Sequence, residues 1–295
     1  MKVYLVGSGP GDPELLTIKA RRLLETADVV LYDHLSSPDA LRMADKAEKI
    51  YVGKVRDNHT VPQEEIGEML VAQWRANKRV VRLKGGDPYI FGRGGEECEA
   101  LAKAGVPFEV VPGISSAIGA AAYAGIPLTH RDYSSCVAFV TGHHPEAIDW
   151  QKVSKVDTIA IFMGAFHFPE LAAALIAAGR SADTPAAAVT WATRPGQTTV
   201  TGTIASLAEA KIQAPAMIII GGVAQLSPQL NWHEKLPLHG ARVAVTRASA
   251  SSPEMSAHLA ALGAEVLEYP TIEIAPPLSV SYTHLRAHET KANLV

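Results

Sequence analysis

The chain has 295 residues, of which 47% are hydrophobic and 19% charged, with a formal net charge of -3. The length predicts one or two globular domains, and the composition excludes a disordered chain. The negative net charge argues against a protein that coats nucleic acid. Its two cysteines exclude a disulfide framework and a tetrathiolate metal site within one chain, and they favour a cytoplasmic location. No apolar run reaches the about 18 residues that cross a bilayer, so we expect no membrane partner.

Short apolar runs alternate with longer helix-period segments in the first part of the chain, which is typical of βαβ units on a parallel sheet. The predicted strands span residues 2–6, 29–32, 50–52, 80–83 and 108–111. The predicted helices span residues 13–26, 38–44, 62–76 and 96–104. We therefore predict an α/β domain over residues 1–112.

The pattern changes after residue 113, where a helix of small residues (115–123) precedes strands that follow one another closely. These strands are predicted over residues 137–141, 158–163, 186–191, 198–201 and 216–220, with one helix over 169–178 among them. Such close spacing favours a mixed sheet over a purely parallel one. We predict a second α/β domain over residues 113–232, with the active site in the cleft between the two domains.

Residues 233–239 form a predicted linker, after which a strand, a helix over 253–262 and a strand over 264–269 make one βαβ unit. A lone unit of this kind cannot bury both of its faces. We therefore interpret residues 240–279 as a fragment of a further domain. Residues 280–295 contain no pattern that continues it, and we interpret them as a non-native tail translated from a sequencing adapter and exclude them from the fold prediction.

Three strand-to-helix turns are rich in glycine. The first, GSGPGDP at 7–13, places Asp12 at an expected helix N-cap and Pro13 at the first helical position. Asp12 stands where a dinucleotide-binding fingerprint has its third glycine, so that fingerprint is not matched. A plain structural turn and a ligand-binding loop both remain open at this position.

The other two turns favour a ligand more strongly. Two glycine-dense stretches, KGGDP at 84–88 and GRGG at 92–95, exceed what a simple connection needs. In the third turn Ser115 or Ser116 can cap the helix of small residues, which admits either a ligand or tight helix-on-sheet packing. Such turns suit a sulfonium compound, which needs backbone hydrogen bonds, an apolar slot for adenine and no cation beside its sulfur.

Polar residues follow several predicted strands, at the edge where open α/β sheets bind ligands. Asp33 follows the second strand and Lys54 the third; a loop carboxylate and a surface lysine are the ordinary alternatives. A basic wall for an anionic substrate can be built from Arg56, Arg82, Lys84, Arg93, His130 and Arg131. Two adjacent histidines stand at 143–144, but no further metal ligand lies at zinc-like spacing from them. No metal is therefore predicted.

Taken together, five stretches resemble the uroporphyrinogen-III C-methyltransferase branch of the tetrapyrrole methylases. They are VGSGPGDP at 6–13, VRLKGGDP at 81–88, FGRGGEE at 91–97, VPGI at 111–114 and IPLTHR at 126–131. The resemblance runs in order from about residue 1 to about residue 232. Each stretch alone is typical of tetrapyrrole methylases in general, and the combination of VRLKGGDP with PLTHRD narrows the match.

The resemblance implies a two-domain tetrapyrrole-methylase fold and the transfer of two methyl groups from S-adenosyl-L-methionine to uroporphyrinogen III. The products would be precorrin-2, on the route to sirohaem and cobalamin, and S-adenosyl-L-homocysteine. Matched residue by residue, Asp33 takes the place of the family's proton acceptor and Lys54 that of its proton donor. Contacts to the methyl donor fall on Pro10, Gly85, Gly86, Asp87, Ile90, Ser115, Ser116, Met163 and Ala192.

Further expectations follow from the same resemblance. Arg82, Lys84, Arg93, His130 and Arg131 would bind the carboxylates of the substrate. The partners would be a small-molecule tetrapyrrole and a second copy in a homodimer, with no nucleic acid. Family members often carry threonine or alanine where this chain has the serines at 115 and 116, which leaves the donor contact plausible.

Three alternatives stay open: another tetrapyrrole methylase, an RNA ribose methyltransferase of the same architecture, and a non-catalytic nucleotide-binding module. The acidic charge balance and the basic stretch at 130–131 argue against RNA. The fragment at 240–279 resembles the beginning of uroporphyrinogen-III synthase, through RVAVTR at 242–247, LGAEV at 262–266 and IEI at 272–274. A fragment of about forty residues is not expected to have synthase activity.

Overall fold

The computed structural model describes residues 1–53, 62–248 and 253–272. Its first sheet contains five parallel strands in the order β3-β2-β4-β1-β5. These strands are β1 (Val3–Gly7), β2 (Val29–Tyr32), β3 (Glu48–Tyr51), β4 (Val80–Lys84) and β5 (Phe108–Val111). The central strand β4 is buried along its whole length, as expected where helices cover both faces of a parallel sheet.

Four helices cover this sheet, two on each face. They are α1 (Ile18–Glu25), α2 (Pro38–Met43), α3 (Gln63–Arg75) and α4 (Gly94–Lys103). On one face Leu24 of α1 and Ala40 of α2 pack in a cluster with Val30 of β2. On the other face Leu70 of α3 and Leu101 of α4 share a cluster with the strand residues. The predicted parallel α/β architecture is confirmed.

The second sheet is mixed, as predicted, with strand order β6-β7-β10-β8-β9. Only β6 and β7 are parallel to each other; the remaining pairs are antiparallel. The elements are α5 (Ser116–Tyr123), β6 (Val137–Thr141), α6 (Trp150–Val153), β7 (Thr158–Phe162), α7 (Phe168–Ala177), β8 (Pro185–Thr190), β9 (Thr198–Thr203), α8 (Ile204–Glu209), β10 (Ala216–Ile220) and α9 (Ser227–Leu230).

Small residues let α5 lie close to one face of the second sheet. Ala117 and Ala120 of this helix pack in a cluster with Phe162 of β7 and Val189 of β8. The opposite face of the sheet is covered by α7 and α8, through residues that include Leu171 and Leu207. Of the two readings that the sequence left open for this helix, close packing on the sheet is therefore realised.

The C-terminal βαβ unit forms as predicted, with β11 (Arg242–Val245) and β12 (Glu265–Glu268) parallel and α10 (Pro253–Ala261) between them. No residue of α10 is buried. Backbone hydrogen bonds attach the unit to the preceding chain, from the Leu238 N–H to the Leu262 carbonyl (2.8 Å) and from the Gly240 N–H to the Pro195 carbonyl (3.2 Å). The domain limits drawn from the sequence stay predictions, and residues 280–295 lie outside the described residues.

Several elements differ from the prediction. The helix predicted over 13–26 is a 3-10 turn (Pro13–Leu15) followed by α1, because the Thr17 side chain accepts a hydrogen bond from the Ala20 N–H and caps a new helix. Helix α8 was not predicted; a reciprocal capping pair between Thr203 and Ser206 starts it. Within the described ranges, no helix has both the length and the apolarity needed to cross a membrane.

A substitution pair tests how closely the strand ends approach. A Cβ on Gly113 would collide with the Gly86 carbonyl oxygen and lie 2.8 Å from Gly7 Cα, whereas a Cβ on Gly95 would meet nothing within 4 Å. We expect Gly113→Ala to lower the free energy of unfolding by about 1–3 kcal/mol through overpacking. Gly95→Ala, in α4, should leave it unchanged or raise it by up to about 1 kcal/mol. Thermal unfolding compares the two, and equal midpoints would contradict the close approach.

Candidate active site

The turns that leave β1 and β4 are joined by a short antiparallel bridge. The Gly9 N–H donates to the Gly86 carbonyl (3.2 Å), and the Gly86 N–H donates to the Gly9 carbonyl (2.8 Å). Both residues have left-handed backbone conformations, with φ of 72° for Gly9 and 64° for Gly86, which glycine adopts without steric cost. The bridge therefore fixes two of the three predicted ligand turns against each other.

The third turn, after β5, is held to the second by Asp87. One carboxylate oxygen of Asp87 accepts a hydrogen bond from the Gly113 N–H (3.0 Å), and the other accepts from the Tyr89 N–H (2.8 Å). A Cβ built on Gly7 would lie 2.5 Å from the Gly86 carbonyl oxygen and 2.7 Å from Gly113 Cα. Backbone approach at this distance requires glycine, so the three turns form one rigid cradle.

The N-terminus of α5 faces this cradle. A Cβ on Gly86 would lie 3.5 Å from the Ser116 backbone nitrogen and 3.7 Å from Ser115 Cα. Ser115 is 3% exposed, and its hydroxyl oxygen is buried without a hydrogen-bond partner among the described residues. A buried hydroxyl without a partner is costly, and a polar ligand in the cradle could satisfy it.

The loop after β8 brings the second domain to the same place. The Asp12 N–H donates to the Thr193 hydroxyl (3.0 Å), and a Cβ on Gly119 of α5 would lie 2.5 Å from Pro10 Cγ and 3.1 Å from Thr193 Cγ2. Pro10, the helix α5 and the loop that carries Ala192 therefore meet at the first glycine turn.

The end of β7 is linked to the loop after β4. The rings of Phe91 and Phe162 lie 4.8 Å apart, which places Ile90 and Met163 on adjoining loops. Ile90 is 37% exposed and Met163 is 52% exposed, so both present apolar surface. The structure thus brings the loops that bear all nine predicted donor contacts to one crevice, and their role as contacts stays a prediction.

Strained backbone is concentrated around this crevice. Six non-glycine residues among those described have positive φ values, and all but Asn77 lie on the loops just described. The five are Phe91, Arg93, Met163, Trp191 and Thr193. The sequence had assigned Met163 and Trp191 to strand ends, but their φ values of 54° and 50° end the strands one residue earlier. Strain of this kind is common at functional sites.

Asp33 lies at the end of β2 and is held from two sides. Arg82 Nη2 donates to Asp33 Oδ2 (3.0 Å), while the Leu35 N–H (3.2 Å) and the Ser36 hydroxyl (3.3 Å) donate to Oδ1. The carboxylate side chain is 27% exposed. It therefore keeps access to the crevice although both of its oxygens accept hydrogen bonds.

Arg82 and Lys84, predicted as substrate contacts, are buried in an internal ionic cluster. Arg82 Nε (3.1 Å) and Lys84 Nζ (2.7 Å) both donate to Glu97 Oε1, and both side chains are only 4% exposed. Burial, followed by the neighbouring Arg82 guanidinium, lowers the pKa of Lys84 below its usual value, and Glu97 opposes this shift. Arg82 therefore contacts both Asp33 and Glu97, and Lys84 contacts Glu97. Contact of either residue with the substrate stays a prediction.

The remaining basic residues are not assembled in one wall. His130 and Arg131 lie in a turn whose Ser134 hydroxyl accepts a hydrogen bond from Thr158, the first residue of β7 (2.7 Å). Met163 follows the other end of β7, roughly 16 Å from Thr158 at 3.3 Å per residue. The turn at 130–131 therefore lies at the other end of β7 from Met163, and binding of the substrate by His130 and Arg131 stays a prediction.

The other basic candidates differ in their surroundings. The side chain of Arg93 is 60% exposed and its Nε donates to Glu96 (2.7 Å). Lys54 and Arg56 lie outside the described residues. Among the residues that are described, no group of three metal-ligating side chains is arranged around a common point.

Sequence reasoning missed Glu97 and Thr193. Glu97 follows Glu96 in a charged stretch and resembles a surface acid. A signal was nevertheless present, since Gly94, Glu97, Cys98 and Leu101 are spaced as one helix face, and all four are buried. Thr193 had no comparable signal, because its contact with Asp12 depends on the docking of two loops 181 residues apart.

Comparison with known proteins places the chain in a family. Residues 2–208 match the family described as Tetrapyrrole (Corrin/Porphyrin) Methylases. A siroheme synthase from Chromobacterium violaceum is 53% identical over 242 residues, which cover 79% of this chain and 52% of the relative. A siroheme synthase from Thiobacillus denitrificans is 55% identical over 241 residues, covering 79% and 50%. The chain thus spans about half the length of the curated relatives it matches.

A solved structure supports the same assignment. Uroporphyrin-III C-methyl transferase from Thermus thermophilus, complexed with S-adenyl homocysteine, superposes with a TM-score of 0.69 at 43% sequence identity. The match covers 76% of this chain and 99% of that one. On the agreement of sequence and fold, this chain belongs to the tetrapyrrole (corrin/porphyrin) methylase family.

Proposed function

We propose that the protein is an S-adenosyl-L-methionine-dependent methyltransferase that adds two methyl groups to uroporphyrinogen III and releases precorrin-2. The observation that carries the proposal is the glycine cradle at Gly9 and Gly86, which faces the unpartnered Ser115 hydroxyl. The similarity to a uroporphyrin-III C-methyl transferase complexed with S-adenyl homocysteine supports the same donor. The relatives named siroheme synthase support the sirohaem route, with cobalamin as the other end product.

The residues of the cradle fit a nucleoside with an amino-acid tail. The cradle offers close backbone, the Ser115 hydroxyl is a polar group in need of a partner, and Ile90 and Met163 supply exposed apolar surface. We propose that Pro10, Gly85, Gly86, Asp87, Ile90, Ser115, Ser116, Met163 and Ala192 hold S-adenosyl-L-methionine. The donor supplies an electrophilic methyl group; the protein has to orient it and exclude water.

The chemistry asks little more of the protein than alignment and a proton acceptor. A reduced pyrrole carbon is already nucleophilic, so methyl transfer needs the two reactants in line. The positive charge that develops on the macrocycle is relieved by loss of a proton, which a nearby carboxylate can accept. Asp33 is the carboxylate that lies at the crevice with part of its surface exposed, and we propose it as the acceptor, with Lys54 as proton donor.

The substrate is a polycarboxylate, so exposed cations near the crevice are candidates to bind it. Arg93, on the loop after β4, is the best placed of the described candidates because its side chain is largely exposed. Arg82 and Lys84 are proposed to act mainly through Asp33, given their burial. His130 and Arg131 stay candidates only for carboxylates that reach the other end of β7 from Met163.

An anaerobic assay with radiolabelled donor tests the activity. Uroporphyrinogen III should accept label, and the product should have the mass and absorbance of precorrin-2 after oxidation. A product methylated at another ring position would instead show a different tetrapyrrole methylase. Label transferred only to added RNA, or donor binding without any transfer, would refute the proposal. Red-fluorescent products in an expressing bacterium offer a first screen.

We also propose a cytoplasmic homodimer. Exposed apolar side chains on and after α5 and α9 support an association surface, among them Ile118 (51% exposed), Leu230 (44%) and Trp232 (49%). For residues 240–279 we propose descent from the start of uroporphyrinogen-III synthase, supported by the β11-α10-β12 unit and by the motifs at 242–247 and 262–266.

Replacing Asp33 tests its role as proton acceptor. Asp33→Asn and Asp33→Ala should lower turnover by about 10²-fold or more, the range typical of lost general-base catalysis. Binding of S-adenosyl-L-homocysteine, measured by calorimetry, should change by less than about twofold because the residue does not belong to the cradle. Asp45→Ala, an exposed carboxylate between α2 and β3, is the matched control. Unchanged turnover in Asp33→Ala would remove this residue from the mechanism.

Replacing Gly86 tests the cradle. Gly86→Val should weaken S-adenosyl-L-homocysteine binding by at least about tenfold, since valine strains a backbone with φ of 64° and its methyl groups extend toward α5. Gly105→Val is the control, because Gly105 has a similar φ of 68° and open space around it, beyond the end of α4. Equal affinities in the two variants would show that the turn is only structural.

A further inference from the structure

Four charged side chains form a compact ionic cluster on one side of the crevice: Asp33, Arg82, Lys84 and Glu97. They come from β4, from α4 and from the loop after β2. Only Asp33 has appreciable exposure, at 27%; the side chains of the other three are 0–4% exposed. The cluster therefore connects a buried interior charge, Glu97, to the proposed proton acceptor.

The Arg82 guanidinium is the connection, and each of its nitrogens is occupied. Nε donates to Glu97 Oε1 (3.1 Å), Nη1 donates to the Leu83 carbonyl (2.8 Å), and Nη2 donates to Asp33 Oδ2 (3.0 Å). A planar guanidinium fixed at three points has no freedom to rotate. The anchors at Glu97 and at the Leu83 carbonyl together direct the Nη2–H bonds toward Asp33 Oδ2, while the Leu35 N–H and the Ser36 hydroxyl hold the other carboxylate oxygen.

Stability alone does not account for Glu97. Burying charges costs free energy that pairing rarely recovers in full, and apolar replacements of similar volume are often as stable. Glu97 Oε2, moreover, is buried without a hydrogen-bond partner among the described residues. The glutamate stands in the first turn of α4, where the helix dipole favours an anion, but that interaction does not require contact with Arg82.

The charges within the cluster balance, so removal of any one of them leaves a net charge in a buried place. Arg82 and Lys84 supply two cations, and Asp33 and Glu97 supply two anions. Without Glu97, two buried cations would face one carboxylate. We expect Lys84 then to compete with Arg82 for Asp33 and to disturb the hydrogen bond between Arg82 Nη2 and Asp33 Oδ2.

We propose that Glu97 is a positioning residue for methyl transfer: it anchors Arg82, and Arg82 holds Asp33 in place to accept the proton. Glu97 itself does not touch the substrate or the donor. This inference rests on the proposed function of Asp33. It adds Glu97, which lies in α4, as a residue on which that function depends.

Two double variants, both of which replace Lys84 with methionine, test the hydrogen bond between Arg82 Nε and residue 97. In Lys84→Met/Glu97→Gln the glutamine carbonyl oxygen can still accept from Arg82 Nε, whereas in Lys84→Met/Glu97→Leu it has no replacement. Both carry the same charge and similar volume. We expect kcat to be at least about tenfold lower with leucine than with glutamine, with the Kd of S-adenosyl-L-homocysteine and the KM of uroporphyrinogen III within about twofold.

A single variant and a control complete the design. Glu97→Gln alone should lower kcat by about tenfold or more, and adding Lys84→Met should recover most of that loss because the competing cation is gone. Glu99→Gln, an exposed glutamate on the same helix, should match the wild type. Thermal unfolding is recorded for each variant, and rates are measured well below the midpoint so that loss of folded protein does not enter kcat.

The outcomes distinguish failure of the anchoring role of Glu97 from failure of the proposed methyltransferase function. Equal kcat values for the leucine and glutamine double variants would overturn the anchoring role, even if their unfolding midpoints differ. Failure of the wild type to methylate uroporphyrinogen III would instead refute the proposed function. Full turnover by Asp33→Asn would remove Asp33 from the mechanism and would overturn the role of Glu97 with it. If Glu97→Gln does not fold, the comparison of the two double variants still decides, because neither leaves Lys84 charged.

Discussion

The site depends on one physical constraint, the contact between the backbones of Gly7, Gly86 and Gly113. These residues stand at or just after the ends of β4, β1 and β5, three adjacent strands that run from the centre of the first sheet to one edge. The bridge between Gly9 and Gly86 pairs the N–H and carbonyl groups of both residues and so fixes the two turns against each other. Beside them, the Ser115 hydroxyl is buried without a hydrogen-bond partner among the described residues. The shape of the crevice thus depends on backbone groups that pack directly against one another at positions without side chains.

Strand positions were predictable where a short, largely apolar run stands between turn residues, whether the neighbouring strands are parallel or antiparallel. The segments 29–32, 108–111, 137–141 and 216–220 agree with the strands observed. Short elements set by side-chain capping were not predictable in the same way. Thr17 divides one helical pattern into two elements, and Thr203 starts a helix of six residues. In both cases one or two capping hydrogen bonds set where the helix starts, and the apolar periodicity does not report them.

The candidate site was predictable in its glycine turns and less so in its charges. Arg82 and Lys84 alternate with apolar residues in β4, so the strand pattern places both on the side of the sheet that α4 covers. Their sequence context does not reveal that a glutamate 13 residues after Lys84 neutralises them. For the turn at His130 the sequence indicates basic character, but its position beside the first residue of β7 depends on tertiary contacts such as the hydrogen bond from Thr158 to Ser134.

Backbone strain is distributed unevenly between the two domains. In the first domain glycine takes left-handed positions in the first two turns, at Gly9 and Gly86, and two non-glycine residues, Phe91 and Arg93, take them further along the loop after β4. In the second domain the left-handed positions at the crevice are held by Met163, Trp191 and Thr193, none of which is glycine. The glycine turns therefore present bare backbone, whereas the other loops accept a steric cost to present side chains.

The contact of three glycines also limits how this protein can change over time. An overpacked pair of larger residues can be rescued by a smaller residue on the other side. No amino acid is smaller than glycine, so a methyl group at Gly7 or Gly113 has no compensating substitution at its neighbours. Only a shift of whole strands could make room for it. We expect new substrate preferences in such a scaffold to arise in the loops of the second domain, with these three positions left as they are.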